Sequence, residues 1–285
     1  MIATEKENVS KAVAQLGLWD CTNAEYHAER ESVSHSALEV FRRSIPLYHA
    51  QYITGEIERP TTEAMTFGSA VHAALLQPDE FNALVAVAPE GDRRTKEGKA
   101  NWEKFQATAN GKIVISRDQS ASITAIVASF AKNSLAEMLL NAPGRTEQGI
   151  RWMDDTGLQL KCKPDRWLDS GVVWDLKTAT DPSPDGWIRQ AANLGYHRQA
   201  ALYLEGLNTM TAKVPDFYFV VVGSTAPHEV VVYEIDQESI GLGHRQNHED
   251  LRELAACRKS GQWLGRWHDK VCPARLPRWA FNSDF

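Results

Sequence analysis

The chain has 285 residues, 43% of them hydrophobic and 24% charged. That composition suits a globular protein and excludes disordered, collagen-like and disulfide-scaffold classes. The formal net charge of −6, taken alone, argues against a protein that coats nucleic acid through a broad cationic face. No run reaches the roughly 18 apolar residues of a bilayer span. The N-terminal MIATEKENVSKAVAQ holds no signal-peptide core, so a cytoplasmic location with no membrane partner is expected. Cys21, Cys162, Cys257 and Cys272 are scattered without a C-x-x-C pair, which disfavours disulfide, zinc and iron–sulfur sites built on cysteine.

Residues 1–25 read as a loose N-terminal arm and 26–285 as one domain, without repeats or low-complexity linkers. Ser34 to Tyr52 is expected to be helical, with a capping serine followed by Leu38, Phe41, Ile45 and Leu47. A second helix is expected over Ala64–Leu76, stopped by Pro78. The basic, glycine-punctuated segment Gly91 to Lys99 reads as an exposed loop before a helix near Trp102. Ser116 to Leu140 reads as one long helix, with Ile123, Ile126, Val127, Phe130, Leu135 and Leu139 on its buried face.

The period then shortens to two. Glu147–Met153, Leu158–Asp165 and Val172–Lys177 are expected as successive strands separated by the turn signals DDTG and LDSG. Helix is expected over Trp187–Leu207, strands over Phe217–Val222 and Glu229–Ile235, and a last helix over Glu238–Lys259 before a tail rich in tryptophan and proline. One block of strands flanked by helices indicates an α/β (α+β) domain with a central mixed sheet.

The chemistry concentrates in KPDRW (163–167) and WDLKT (174–178). Alternation along a strand puts Asp175 and Lys177 on one face. A hairpin between the two strands would bring Asp165 beside Asp175, so that two carboxylates and a lysine converge. Such a group suits a hard divalent cation such as Mg²⁺, with the lysine placed to orient or deprotonate a water. An ordinary Asp/Lys pair on a surface hairpin is the competing reading.

Other residues could join this group, each with a plainer alternative. Glu147 would supply a third carboxylate, or be a solvated strand end. His72, in FGSAVHAALL, would approach through the small Gly68 and Ser69, or be a core histidine. Tyr196, Gln199 and Tyr203 share a helical face and could equally form a packed boundary layer. Arg93, Arg94, Lys96 and Lys99 could meet phosphates, or be solvated in a loop. His244 and His248 stand one turn apart and could form a metal pair, but no third ligand is evident and a solvated helix start is the plainer reading.

The succession G-S-A-V-H, E, P-D, D-L-K-T and Q-A-A-L-Y resembles the PD-(D/E)xK phosphodiesterase superfamily in its RecB-type exonuclease branch. Within that branch it is similar to the nuclease domain of exodeoxyribonuclease VIII (RecE) and its phage-encoded relatives. The flanks AEYHAERESVSHSALEVFRRSIPLYHA and SGQWLG…LPRWA extend the resemblance over residues 24 to 281. It implies a restriction-endonuclease-like core in which Asp165, Asp175 and the Leu176 carbonyl hold Mg²⁺, with Mn²⁺ able to substitute and one or two ions per site. It implies that Lys177 orients or activates the attacking water, that His72 lies on or near the metal, and that Glu147 acts through water or as an outer ligand. Gln199 and Tyr203, with Tyr196 and Arg198 as weaker matches, would contact the DNA backbone or support the lysine. The implied activity is exonucleolytic release of 5′-mononucleotides from the 5′ strand of linear duplex DNA. The resulting 3′ overhang would pass to a single-strand annealing recombinase, and a homo-oligomeric ring would thread the DNA. The implied setting is bacterial or phage-encoded. A site- or structure-specific endonuclease, or an inert DNA-binding scaffold, are the alternative readings. Asp175, where many superfamily members carry Glu, favours the narrower match.

Overall fold

A computed structural model describes residues 16–92, 94–211 and 215–281. The chain enters through β1 (Gly17–Trp19) and α1 (Asn23–Ala28), so residues 17–25, read from sequence as part of a loose arm, are structured. Thr22 and Glu25 cap α1 reciprocally, the Glu25 N–H donating to Thr22 Oγ1 at 3.2 Å and the Thr22 N–H to Glu25 Oε2 at 2.8 Å.

The helix expected over Ser34–Tyr52 is broken. It runs as α2 (His35–Arg43), α3 (Ile45–Tyr48) and a π-helical turn over His49–Ile53. Ser44 adopts an extended conformation ahead of Pro46 and accepts the Leu47 N–H, so it restarts the helix instead of continuing it. Next come α4 (Glu63–Leu76), which matches its expected span, then α5 (Phe81–Leu84), β2 (Val85–Val87), α6 (Lys96–Thr108) and β3 (Ile113–Ile115). The Thr95 hydroxyl accepts the Gly98 N–H at 3.0 Å, starting α6 inside the segment expected to be loop. The stretch expected as one helix over Ser116–Leu140 is two, α7 (Arg117–Phe130) and α8 (Ser134–Asn141), meeting at 94°. Asn133 makes the corner: its carbonyl oxygen Oδ1 caps the Ala136 N–H at 3.0 Å, and its amide donates to the Val230 carbonyl at 2.8 Å.

The strands that follow are β4 (Gly144–Thr146), β5 (Gly149–Met153), β6 (Gln159–Cys162), β7 (Arg166–Leu168) and β8 (Val173–Ala179). After them come α9 (Pro184–Leu194), α10 (Tyr196–Asn208), β9 (Phe217–Gly223), β10 (Val230–Glu234) and α11 (Gln237–Ser260). Gly195, at φ 71°, separates α9 from α10, where the sequence suggested one helix. Among the described residues no single helix is long and apolar enough to cross a membrane.

The main sheet has five strands in the order β10-β9-β8-β7-β4. β8 and β9 are parallel and the other pairs antiparallel. β1, β5 and β6 form a separate antiparallel sheet, and β2 and β3 a short parallel pair. The strand expected over Leu158–Asp165 is thus divided: its first half pairs with β5, and after Lys163-Pro164-Asp165 the chain crosses to the main sheet as β7. Proline, which cannot donate to a ladder, sits at the crossing.

The alternation along β8 and β9 sorts two cores. Trp174, Leu176, Val220 and Val222 pack with Ala70, Val71, Ile126 and Phe130 of α4 and α7. Val173, Ala179, Phe217, Phe219 and Val221 face the core shared with α2, α10 and α11. Trp174 is fully buried and donates to the Leu139 carbonyl at 3.2 Å, which fixes α8 against this strand.

Candidate active site

The β6–β7 crossing delivers Asp165 to the edge of β8. Arg166 lies opposite Trp174 in the antiparallel register, so Asp165 falls level with Asp175. The Leu176 N–H donates to Asp165 Oδ2 at 2.6 Å. Asp175 and Lys177 share a face of β8, and the Lys177 ammonium bonds to Asp175 Oδ2. The other Asp175 oxygen accepts the Gln199 amide at 2.9 Å. Both aspartates are buried, Asp175 to 2% exposure.

His72, on α4, reaches the same place from the opposite side of the strand. Its Nε2 lies 3.0 Å from the Leu176 carbonyl oxygen and its Nδ1 3.4 Å from Asp165 Oδ1. The Leu176 carbonyl, implied as a backbone ligand, therefore engages His72, and its second lone pair is left over. Gly68 matters less than the sequence suggested, since a Cβ there would make only ordinary contact with Thr178 Oγ1, at 3.6 Å.

Glu147 does not open a strand. It occupies a left-handed conformation (φ 54°) between β4 and β5, where the chain changes sheets. That conformation costs a non-glycine residue on the order of 1 kcal/mol. Two bonds hold it: its N–H donates to the Asp165 carbonyl at 3.0 Å, and its carboxylate pairs with Lys163 Nζ at 2.5 Å. Lys163 is buried and also donates to Asn23 Oδ1 at 2.7 Å. Sequence reasoning passed over Lys163 and Asn23. Lys163 stands inside the KPDRW motif and could have been weighed, whereas nothing near Asn23 signals its role.

Three carboxylates thus face two lysines and a histidine. Burial and the neighbouring Asp165 charge push Asp175 up to about 6, although Lys177 pulls the other way. Burial alone would raise Asp165, but His72, Lys177 and the Leu176 N–H hold it below the usual carboxylate range. Burial and Asp165 raise Glu147 against the pull of Lys163. Burial disfavours the His72 imidazolium, yet Asp165 and Asp175 outweigh it and raise His72 to about 9. Lys177 is raised too: burial opposes its charge, and Asp175, with Tyr196 and Asp165, outweighs that opposition. Groups with values driven this far apart in one buried cluster are the signature expected of a reactive site.

The donor set suits a divalent cation. One ligand atom each from His72, Glu147 and Asp165 lie within 4.8 Å of one another, beside Asp175. Two or three carboxylates match hard cations, and one imidazole nitrogen admits Mn²⁺ as readily as Mg²⁺.

The remaining site residues divide. Tyr196, expected at DNA, lies under the lysine, with Lys177 Nζ 4.8 Å from its ring centroid and the Trp187 ring stacked at 5.3 Å. Tyr203, also expected at DNA, is buried against Phe217 in the core, with only 9% of its surface exposed. A helical stripe of aromatic residues reads alike for a core and for a binding face, and here the neighbouring Phe217 and Cys162 make it core. Arg198 is buried and forks onto the Glu39 carboxylate of α2, so it fastens two helices. Arg94 is exposed in the turn before α6, its N–H bonded to Asp92 Oδ1 at 2.9 Å, and it takes no part in the carboxylate group's hydrogen bonds. Arg93 lies outside the described residues.

A mixed five-stranded sheet with an aspartate and a lysine on its central strand, a second aspartate brought level with them by the preceding crossing, and flanking helices that deliver a histidine and a glutamine, defines the PD-(D/E)xK class. The chain belongs to one family of that class: residues 34–267 match the PDDEXK-like domain of unknown function (DUF3799). Its fold is shared by the solved structure of a "putative exonuclease" from Eubacterium rectale, at 13% identity and a TM-score of 0.63, covering 94% of this chain and 100% of that one. A phage-related exonuclease from Haemophilus somnus 129PT aligns over 83% of this chain and 99% of its own at 17% identity, with a TM-score of only 0.33. No curated protein matches the sequence.

Proposed function

We propose that the protein is a metal-dependent exonuclease acting on the free ends of linear double-stranded DNA. In this reading it degrades one strand 5′ to 3′ into 5′-mononucleotides and leaves a 3′ overhang for a single-strand annealing recombinase. The observation that carries the hydrolytic part is the convergence of Asp165, from the β6–β7 crossing, with Asp175 and Lys177 of β8, and His72, Glu147 and Gln199 closing round them. Polarity, products, the recombinase partner and a DNA-threading ring rest on the motif resemblance.

Asp165, Asp175 and Glu147, with His72 beside them, would hold Mg²⁺, or Mn²⁺ in its place. A divalent cation bound there supplies Lewis-acid stabilisation of the phosphodiester oxygens and lowers the pKa of water. The side chains do the rest. Gln199 takes one oxygen of Asp175 and Lys177 the other, so the carboxylate cannot rotate. Tyr196 and Phe219, whose ring centroids lie 4.8 and 5.9 Å from Lys177 Nζ, confine the ammonium. Lys177 can then orient an attacking water by hydrogen bonding and offset the charge that builds on phosphorus. The test is cleavage of 5′-labelled, 3′-labelled and closed circular duplexes in Mg²⁺. Early release of labelled mononucleotide from 5′ ends, with circles intact, supports the reading. Cut circles would make the protein an endonuclease, and early 3′ release would reverse the polarity.

A further inference from the structure

A second group of ligand-type side chains lies outside the carboxylate centre. Glu205 stands on α10, and His244 and His248 stand one turn apart on α11. One ligand atom from each lies within 4.8 Å of the others. Glu205 Oε2 is 3.4 Å from His248 Nε2 and 3.7 Å from His244 Nε2. A tetrahedral ion with ligand bonds of about 2.05 Å sets its ligand atoms roughly 3.3 Å apart, so Glu205 Oε2 already stands close to that spacing from both imidazole nitrogens.

Their surroundings are those of a metal site as well. Glu205 Oε2 and His248 Nε2 are shut off from solvent, and neither has a hydrogen-bond partner. A carboxylate oxygen left bare against a ring nitrogen costs free energy that a bridging cation would recover. The outer contacts aim these two atoms inward. Trp152 Nε1 donates to Glu205 Oε1 at 3.3 Å, leaving Oε2 for the cluster. Asp155 Oδ1 lies 3.7 Å from His248 Nδ1, on the side that favours a proton at Nδ1 and a lone pair at Nε2. The His244 side chain is 51% exposed, so a fourth position opens to solvent.

We propose that Glu205, His244 and His248 form a binding site for a first-row transition cation of the zinc type, separate from the hydrolytic centre. Two imidazoles and one carboxylate suit such a cation and suit Mg²⁺ poorly. Glu147 precedes β5 and Asp155 follows it, so the centres lie at opposite ends of that strand, on the order of 15 Å apart. The ion would tie α10 to α11 beside the β5–β6 turn.

The full chain is stripped with a chelator and dialysed against Zn²⁺, then against Co²⁺, with Mg²⁺ in excess. It is compared with His244→Ala and with Glu205→Gln, which keeps an acceptor for Trp152. The same series is run with His72→Ala and Asp165→Ala added to remove the other donors. One zinc per chain should be retained in the parent and in that background, with the strong visible absorption of four-coordinate cobalt and a raised melting temperature. Either cluster variant should weaken zinc on the order of 100-fold and abolish the cobalt band. Should the double-substituted background fail to fold, the difference between parent and variants in excess Mg²⁺ decides. No retained zinc in the parent, or equal zinc in parent and variants, overturns the proposal.

Discussion

The two ends of β5 hold opposite kinds of centre. At the Glu147 end, three carboxylates are met by Lys163, Lys177 and His72, so each carboxylate has one of the protein's own cationic side chains beside it. At the Asp155 end, two imidazoles and one carboxylate face each other, and Glu205 Oε2 and His248 Nε2, 3.4 Å apart, make no hydrogen bond. The first is charge-balanced and can exchange an internal cation for an external one. The contrast also corrects the reading of net charge. An acidic chain needs no broad basic face to act on a phosphodiester when a bound cation reverses the local field.

The sharpest way to break this contrast is to disable each end in turn. Asp165→Ala removes the acceptor of the Leu176 N–H and the partner of His72, and should lower single-turnover DNA cleavage by about 10³-fold or more while leaving zinc retention unchanged. His244→Ala should do the reverse. Loss of both properties in either variant would show one coupled site.

The stability of the hydrolytic end rests on the core behind it. Trp174→Ala empties a fully buried position under Asp175 and should cost about 3–5 kcal/mol in urea unfolding. A cost below about 1 kcal/mol would mean that this core does not support the strand.

Metal choice is the next test. If the His72 nitrogen contributes, Mn²⁺ should bind more tightly than Mg²⁺, and His72→Ala should shrink that preference by about tenfold, as read by competition calorimetry. An unchanged ratio would remove His72 from the donor set.

A smaller effect concerns pH. Burial, with Lys177, Arg198 and His197 nearby, lowers His35 from 6.5 to about 3. The unfolded chain therefore takes up a proton below 6.5 that the folded chain refuses until about 3. The contribution of His35 to stability is complete above that window and declines as pH falls through it. His35→Gln should flatten the loss of urea midpoint between about pH 7 and about pH 4.5, and an unchanged slope would contradict the assignment. The smallest effect should come from Gly68→Ala, which should be nearly silent in both cleavage and stability. Gly243→Ala should be felt, because a Cβ there would meet the His197 carbonyl oxygen at 2.4 Å.

What was legible in the sequence follows from how local each feature is. Alternation along β8 is a property of one strand, so the shared face of Asp175 and Lys177 could be read directly, and a hairpin argument sufficed for Asp165. Glu147 and Lys163 meet only because the chain changes sheets on either side of them, which no period reveals. Tyr203 and Tyr196 lie on one helical stripe, yet one is core and the other lines the lysine, because packing by Phe217 and Trp187 decides. Glu205 was missed as the partner of His244 and His248 because it comes from a different helix. The helix breaks at Ser44, Asn133 and Gly195 are capping and turn events, visible as residue types but weaker than the apolar pattern that runs across them.

The most direct test of the central claim is cleavage of linear duplex DNA by the purified chain in Mg²⁺, beside EDTA, Asp175→Ala and Lys177→Ala. The geometry predicts nucleotide release by the parent alone, with both variants folded and inactive. Intact DNA with the parent, or equal cleavage by the variants, would contradict it.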